Sequence, residues 1–132
     1  MTDTKGEIVN EIKIPTIRLH WSDFYSFDEL LKDARSDGIK VPNESGVYEV
    51  INESGEILHI GRASNLRMRV KQGLVKGKTP HSTRKRMLED GVNFDDLKVR
   101  WAVTDWPNSV EEFLHKEYKK RYGTLPKYTK AT

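Results

Sequence analysis

Residues 45–73, SGVYEVINESGEILHIGRASNLRMRVKQG, decide the fold of this chain. Gly46 to Ile51 and Glu56 to Ile60 are apolar-rich runs of strand length, and Asn52-Glu53-Ser54-Gly55 between them has the composition of a hairpin turn. After Gly61, Ser64 or Asn65 can cap a helix that runs to about Gln72 and stops at Gly73.

Downstream, Lys76 to Pro80 reads as a basic loop, and His81 or Ser82 starts a second short helix stopped by Asp90-Gly91. Leu97, Val99, Trp101 and Val103 alternate with Lys98, Arg100, Ala102 and Thr104, the pattern of a half-buried strand. Asp105 to Asn108 turns the chain, and Ser109 with Glu112 forms a capping box for a helix from about Val110 to Tyr122, ended by Gly123. Upstream, Ile12 to Leu19 is a candidate strand broken by Pro15. Ser26 and Glu29 make a capping box for a helix through about Ser36. The expectation is an α+β domain over residues 44–132, a small three-stranded antiparallel sheet flanked by helices, with residues 1–43 as an N-terminal accessory segment.

The 132 residues suit one compact domain. With no cysteine there is neither a disulfide framework nor a zinc–thiolate site. The N-terminus is polar and acidic, unlike a signal peptide, and no apolar run nears the ~20 residues of a membrane helix. A soluble cytoplasmic protein without a membrane partner is expected. The net charge of +3 is unevenly spread, −3 over residues 1–45 and +6 over the rest. Between Arg62 and Arg86 lie nine basic residues (Arg62, Arg67, Arg69, Lys71, Lys76, Lys78, Arg84, Lys85 and Arg86) and no acidic one. A run this long and one-signed favours a polyanionic partner over a merely solvated face.

Two charged residues stand where helical periodicity expects apolar ones. On the last helix the stripe Val110, Phe113, Leu114 continues to Glu117; on the first, Arg69 lies one turn from Leu66. Half-burying such groups is costly unless they pair or bind an ion. An Arg69–Glu117 salt bridge, snorkelling at the stripe's edge, and a functional site all satisfy that condition.

Gly46-Val47-Tyr48, then His59-Ile60-Gly61, then Arg62-Ala63-Ser64-Asn65-Leu66-Arg67-Met68-Arg69, a distal helix carrying Glu117, and finally Pro126-Lys127-Tyr128 together resemble the GIY-YIG nuclease family over about residues 44–129. The resemblance implies a metal-dependent endonuclease acting on DNA, as monomer or homodimer, and leaves RNA open as a partner. It implies Tyr48 as the general base, Arg69 as the guanidinium holding the scissile phosphate, and Glu117 as the carboxylate that binds Mg²⁺ or Mn²⁺. His59 stands where the family has its second tyrosine, and joins Tyr48 as a candidate proton acceptor. Arg62, Arg67, Lys71, His81, Arg84, Lys85 and Arg86 are candidate contacts to the nucleic acid. Thr129 replaces an asparagine after Pro-x-Tyr, and Gly73 stands where some members carry a histidine. The rival readings are a nuclease fold that only binds nucleic acid, and a protein-interaction adaptor using Trp21, Phe24, Trp101 and Trp106.

Overall fold

The computed structural model describes residues 10–11, 16–32 and 39–130. Its elements are β1 (Tyr25–Ser26), α1 (Phe27–Lys32), β2 (Gly46–Ile51), β3 (Ile57–Ala63), a π-helix (Arg67–Val75), α2 (Ser82–Glu89), a 3₁₀ turn (Phe94–Asp96), β4 (Lys98–Val103) and α3 (Pro107–Tyr122).

The hairpin forms through its turn chemistry. Gly55 takes φ +85°, a conformation that L side chains rarely adopt. Its N–H donates to Asn52 O at 3.0 Å, while Asn52 Oδ1 accepts from the Glu56 N–H at 2.9 Å. This closure sets the register of β2 against β3, with Tyr48 opposite Gly61 and Val50 opposite His59. On its other side β2 pairs with β4, Tyr48 opposite Trp101.

The sheet has four antiparallel strands in the order β1-β4-β2-β3, one more than the periodicity predicts. The extra strand is the two-residue β1, with Tyr25 opposite Val99, too brief to leave an alternating pattern. It comes from the segment read as accessory, which contributes Phe27 and Leu30 to the main core. Ser26 and Glu29 form the expected capping box, each side chain accepting from the other's backbone N–H. Of the expected strand at Ile12 to Leu19, residues 12–15 lie outside the described residues, and residues 16–19 are not in a strand. The tail of the expected first helix, residues 33–36, also lies outside them.

Both faces of the sheet are covered. Tyr48, Val50, Val99 and Trp101 pack with Leu66, Val70 and Leu74 of the π-helix segment and Met87 of α2. Val47 and Ala102 face the other way, against Val110 and Leu114 of α3 and against Leu19 and Trp21. The helix after β3 passes through Gly73 to Val75 instead of stopping at the glycine, and Asn65 caps it by accepting from the Met68 N–H at 3.1 Å. The last helix starts at Pro107 without a side-chain cap, so Ser109 and Glu112 form no capping box. Glu112 pairs with Lys116 at 3.0 Å instead. Of the four aromatics in the adaptor reading, Trp101 is buried and stacks on Tyr25, while Trp21 and Phe24 hold Arg100 between their rings. Trp106 alone of these is exposed. Among the described residues no helix is long and apolar enough to cross a membrane.

Candidate active site

β3 is an edge strand, and a cavity of about 710 Å³ wraps around its outer side. Alternation along a strand sends successive side chains to opposite faces. Tyr48 and His59 therefore reach the cavity from the face packed on the π-helix, and Arg62 reaches it from the face packed on α3. The π-helix adds Arg69, and α3 adds Glu111 and His115. Gly61 lies within β3, where its role is steric. A Cβ at that position would stand 2.7 Å from the Tyr48 hydroxyl and 2.6 Å from His59 Nε2. Only glycine lets those two side chains meet.

Tyr48 is fully buried and hydrogen-bonded on both sides. Its hydroxyl lies 2.9 Å from His81 Nε2 and 3.2 Å from His59 Nε2. The Arg84 N–H donates to His81 Nδ1 at 3.2 Å, which makes His81 the N-cap of α2. Neutral His81 therefore carries its proton on Nε2 and donates it to the Tyr48 oxygen. His59 Nδ1 meets Thr129 Oγ1 at 3.1 Å, and Thr129 Oγ1 accepts from the Ile60 N–H at 2.9 Å. The residue that departs from the family's asparagine is thus tied to the site. Burial pushes the Tyr48 phenol up to about 12, against the charge and hydrogen bond of Arg69, which lower it. Burial brings His59 down to about 3, helped by the positive field of its neighbours, and does the same to His81. At neutral pH the phenol is protonated and both imidazoles are neutral.

Glu117 does not join these residues. It is exposed and lines a separate cavity with Tyr118, Arg121 and Tyr122. The carboxylate beside Arg69 and Tyr48 is Glu111, 7% exposed, whose Oε1 accepts from Arg62 Nη1 at 3.1 Å. The two glutamates are six residues apart, about 120° around the helix axis at 3.6 residues per turn. The inward stripe runs through Val110, Glu111, Leu114 and His115, whereas Phe113, expected inside, is 61% exposed. One large aromatic taken as core rotates the whole reading of the helix. The spacing Glu111, His115, Tyr118 was the available signal, and its polar members hid it.

The basic run divides by role. Arg62, Arg69 and Arg86 line the cavity, Lys85 is exposed, and Arg67 is half-buried. Arg84 is turned inward, donating from Nη1 to Leu74 O and Val75 O at 2.7 and 2.9 Å and lying over the Phe94 ring. Arg86 donates to Tyr128 O at 2.6 Å. Lys71 is buried, and His81 is occupied by Tyr48 and its capping bond. Their protein partners and burial set Lys71, His81 and Arg84 apart from freely presented phosphate contacts. Sequence reasoning missed Glu111, Thr83 and His115, all of which line the cavity.

A four-stranded antiparallel sheet with Tyr48, Gly61 and Arg69 brought together by one hairpin and the following helix defines a GIY-YIG-type domain. The profile of the UvrC-like GIY-YIG domain matches residues 44–123. The chain belongs to that family. It is 36% identical over 92 residues to UvrABC system protein C of Protochlamydia amoebophila, covering 68% of this chain and 14% of that protein. The protein of the same name from Legionella pneumophila is 40% identical over 86 residues, covering 65% and 13%. That from Bacteroides thetaiotaomicron is 32% identical over 94 residues, covering 69% and 14%. The chain thus matches about a seventh of the length of these curated relatives.

Proposed function

We propose that the cavity beside β3 is the active site of a divalent-metal-dependent endonuclease that hydrolyses DNA phosphodiester bonds. The observation that carries this reading is the convergence of Tyr48, Arg69 and Glu111, from a strand and two helices, on one cavity. Arg69 would hold the scissile phosphate and offset charge that develops on it. Tyr48, protonated at rest, can take a proton from the attacking water only as its own proton leaves, and His59 Nε2 stands within reach to receive it.

Glu111 fits a hard cation such as Mg²⁺ or Mn²⁺, being a buried carboxylate on the cavity wall. Among the described residues no group of three His, Cys, Asp or Glu side chains could hold a metal ion, so an ion at Glu111 would keep several waters as ligands. Once bound, such an ion would stabilise negative charge on the phosphate oxygens.

Plasmid nicking with Mg²⁺ or Mn²⁺ tests the reading. Wild type and Glu117→Gln are expected to nick; Arg69→Ala, Tyr48→Phe and Glu111→Gln are expected to lose at least a hundredfold in rate, in line with ~10²–10³ for a lost transition-state donor. Equal nicking by all five proteins would mark a contaminant and sink the assignment. The burial of the Tyr48 phenol favours a second reading, a nuclease fold that binds nucleic acid without cutting it. It predicts salt-sensitive DNA binding and no nicking by wild type.

A further inference from the structure

We propose that the divalent cation is held by a Glu111–His115 pair, one carboxylate and one imidazole nitrogen, so that the site favours first-row transition ions over Mg²⁺. The inference rests on the reading of the cavity as a cation site and names the second protein ligand.

Glu111 and His115 are four residues apart on α3, the spacing that stacks side chains on one helix face. Both are buried, at 7% and 5% exposure, and both line the cavity. His115 Nε2 lies 3.0 Å from Ile60 O, and since a carbonyl only accepts, this nitrogen carries the proton. The proton on Nε2 leaves the lone pair of the neutral ring on Nδ1. That atom is buried and has no hydrogen-bond partner. Orphaned polar atoms of this kind are rare and costly. A metal-binding histidine characteristically donates its other N–H to a carboxylate or backbone carbonyl, which fixes tautomer and ring orientation. His115 has that arrangement, with β3 supplying the carbonyl. Arg62 now occupies Glu111 Oε1, and its side chain is 49% exposed, so it can withdraw to solvent when an ion takes the carboxylate. A nitrogen donor is what separates this pair from a lone carboxylate. Imidazole raises affinity along the series from Mn²⁺ to Ni²⁺, while Mg²⁺ keeps to oxygen.

Calorimetry of the chain with MgCl₂, MnCl₂ and NiCl₂, in the absence of nucleic acid and in a His20→Gln background, tests this directly. Affinity is expected to rise from Mg²⁺ through Mn²⁺ to Ni²⁺. His115→Ala should cost Ni²⁺ at least about tenfold, as changes around metal sites commonly do, and should flatten the order. Arg62→Ala should strengthen binding, because it removes a competitor for Glu111. Pulsed EPR of bound Mn²⁺ should show nitrogen coupling in the wild type and equally in His59→Gln, which assigns the nitrogen to His115 even if His115→Ala fails to fold. No binding, or binding without nitrogen coupling, overturns the pair. A pair that binds as described in a chain that does not nick DNA would overturn the nuclease reading alone.

Discussion

The Tyr48 hydroxyl and His81 Nε2 are 2.9 Å apart, and the tautomer of that histidine is fixed by a backbone N–H at the start of α2. A helix cap and a candidate catalytic phenol thus depend on one imidazole. The two functions separate by substitution. His81→Asn keeps a good N-cap and should leave thermal stability within about 1 kcal/mol of wild type, whereas His81→Ala loses the cap at a further ~1 kcal/mol. Both lose the donor to Tyr48, and both should slow nicking at least tenfold. Melting curves with nicking rates check it; a full-speed Asn variant would remove His81 from the site.

Stability should depend on pH through the same cluster. His59 and His81 are lowered from 6.5 to about 3 in the folded protein, chiefly by burial. Between those values the unfolded chain binds more protons than the folded one, so stability rises with pH across that window. The melting temperature should therefore hold steady above pH 7 and fall as pH drops from 6.5 towards 4. His59→Gln and His81→Asn should each flatten the fall. A slope equal to wild type in both variants would show that these imidazoles are not buried as neutral groups.

The hairpin, both central helices and β4 were legible because each rests on local chemistry: a turn, a cap, an alternation. The meeting of Tyr48, His59 and Arg69 came from the family resemblance instead, since it depends on how the hairpin and the following helix pack. Two departures from the sequence reading share an origin in what local pattern omits. β1 is two residues held by β4 and by bonds between Ser22 and Trp101, a pairing with a partner far along the chain. Glu111 was passed over because the acidic residue was sought beyond an apolar stripe, whereas the inward face of α3 is itself half polar. Polarity at a site breaks the pattern that would reveal it.

Arg84 and Lys85 are neighbours in the basic run with different work. Arg84 closes the carboxyl end of the π-helix with two bonds to carbonyls and covers Phe94 at 4.9 Å. Arg84→Ala should cost about 2 kcal/mol in stability through those bonds, with little effect on the salt dependence of DNA binding. Lys85→Ala should leave stability unchanged and lower the salt slope of DNA binding by about one, as expected for an exposed charge that meets a phosphate. Denaturant titration and fluorescence anisotropy over a salt series separate the two. The reverse pattern would mean that Arg84 is presented outward.

On the sheet face away from the Tyr48 cluster, Arg100 is held by a carboxylate and two rings. Its Nε donates to Glu49 Oε1 at 2.6 Å, and its guanidinium lies 4.3 Å from the Trp21 ring and 4.7 Å from that of Phe24. Glu49 is buried, so Arg100→Ala strands a carboxylate in the core and frees the aromatics that the N-terminal segment uses to dock. Breaking such a pair costs about 3 kcal/mol, roughly 10 °C in melting temperature for a domain of this size. Glu49→Gln with Arg100→Met should recover most of that loss, because neither partner is then left charged and alone. Nicking should survive in the double variant, since neither residue lines the cavity beside β3. If Arg100→Ala melted with wild type, the ion pair and its aromatic clamp would not be what fastens residues 21–24 to the sheet.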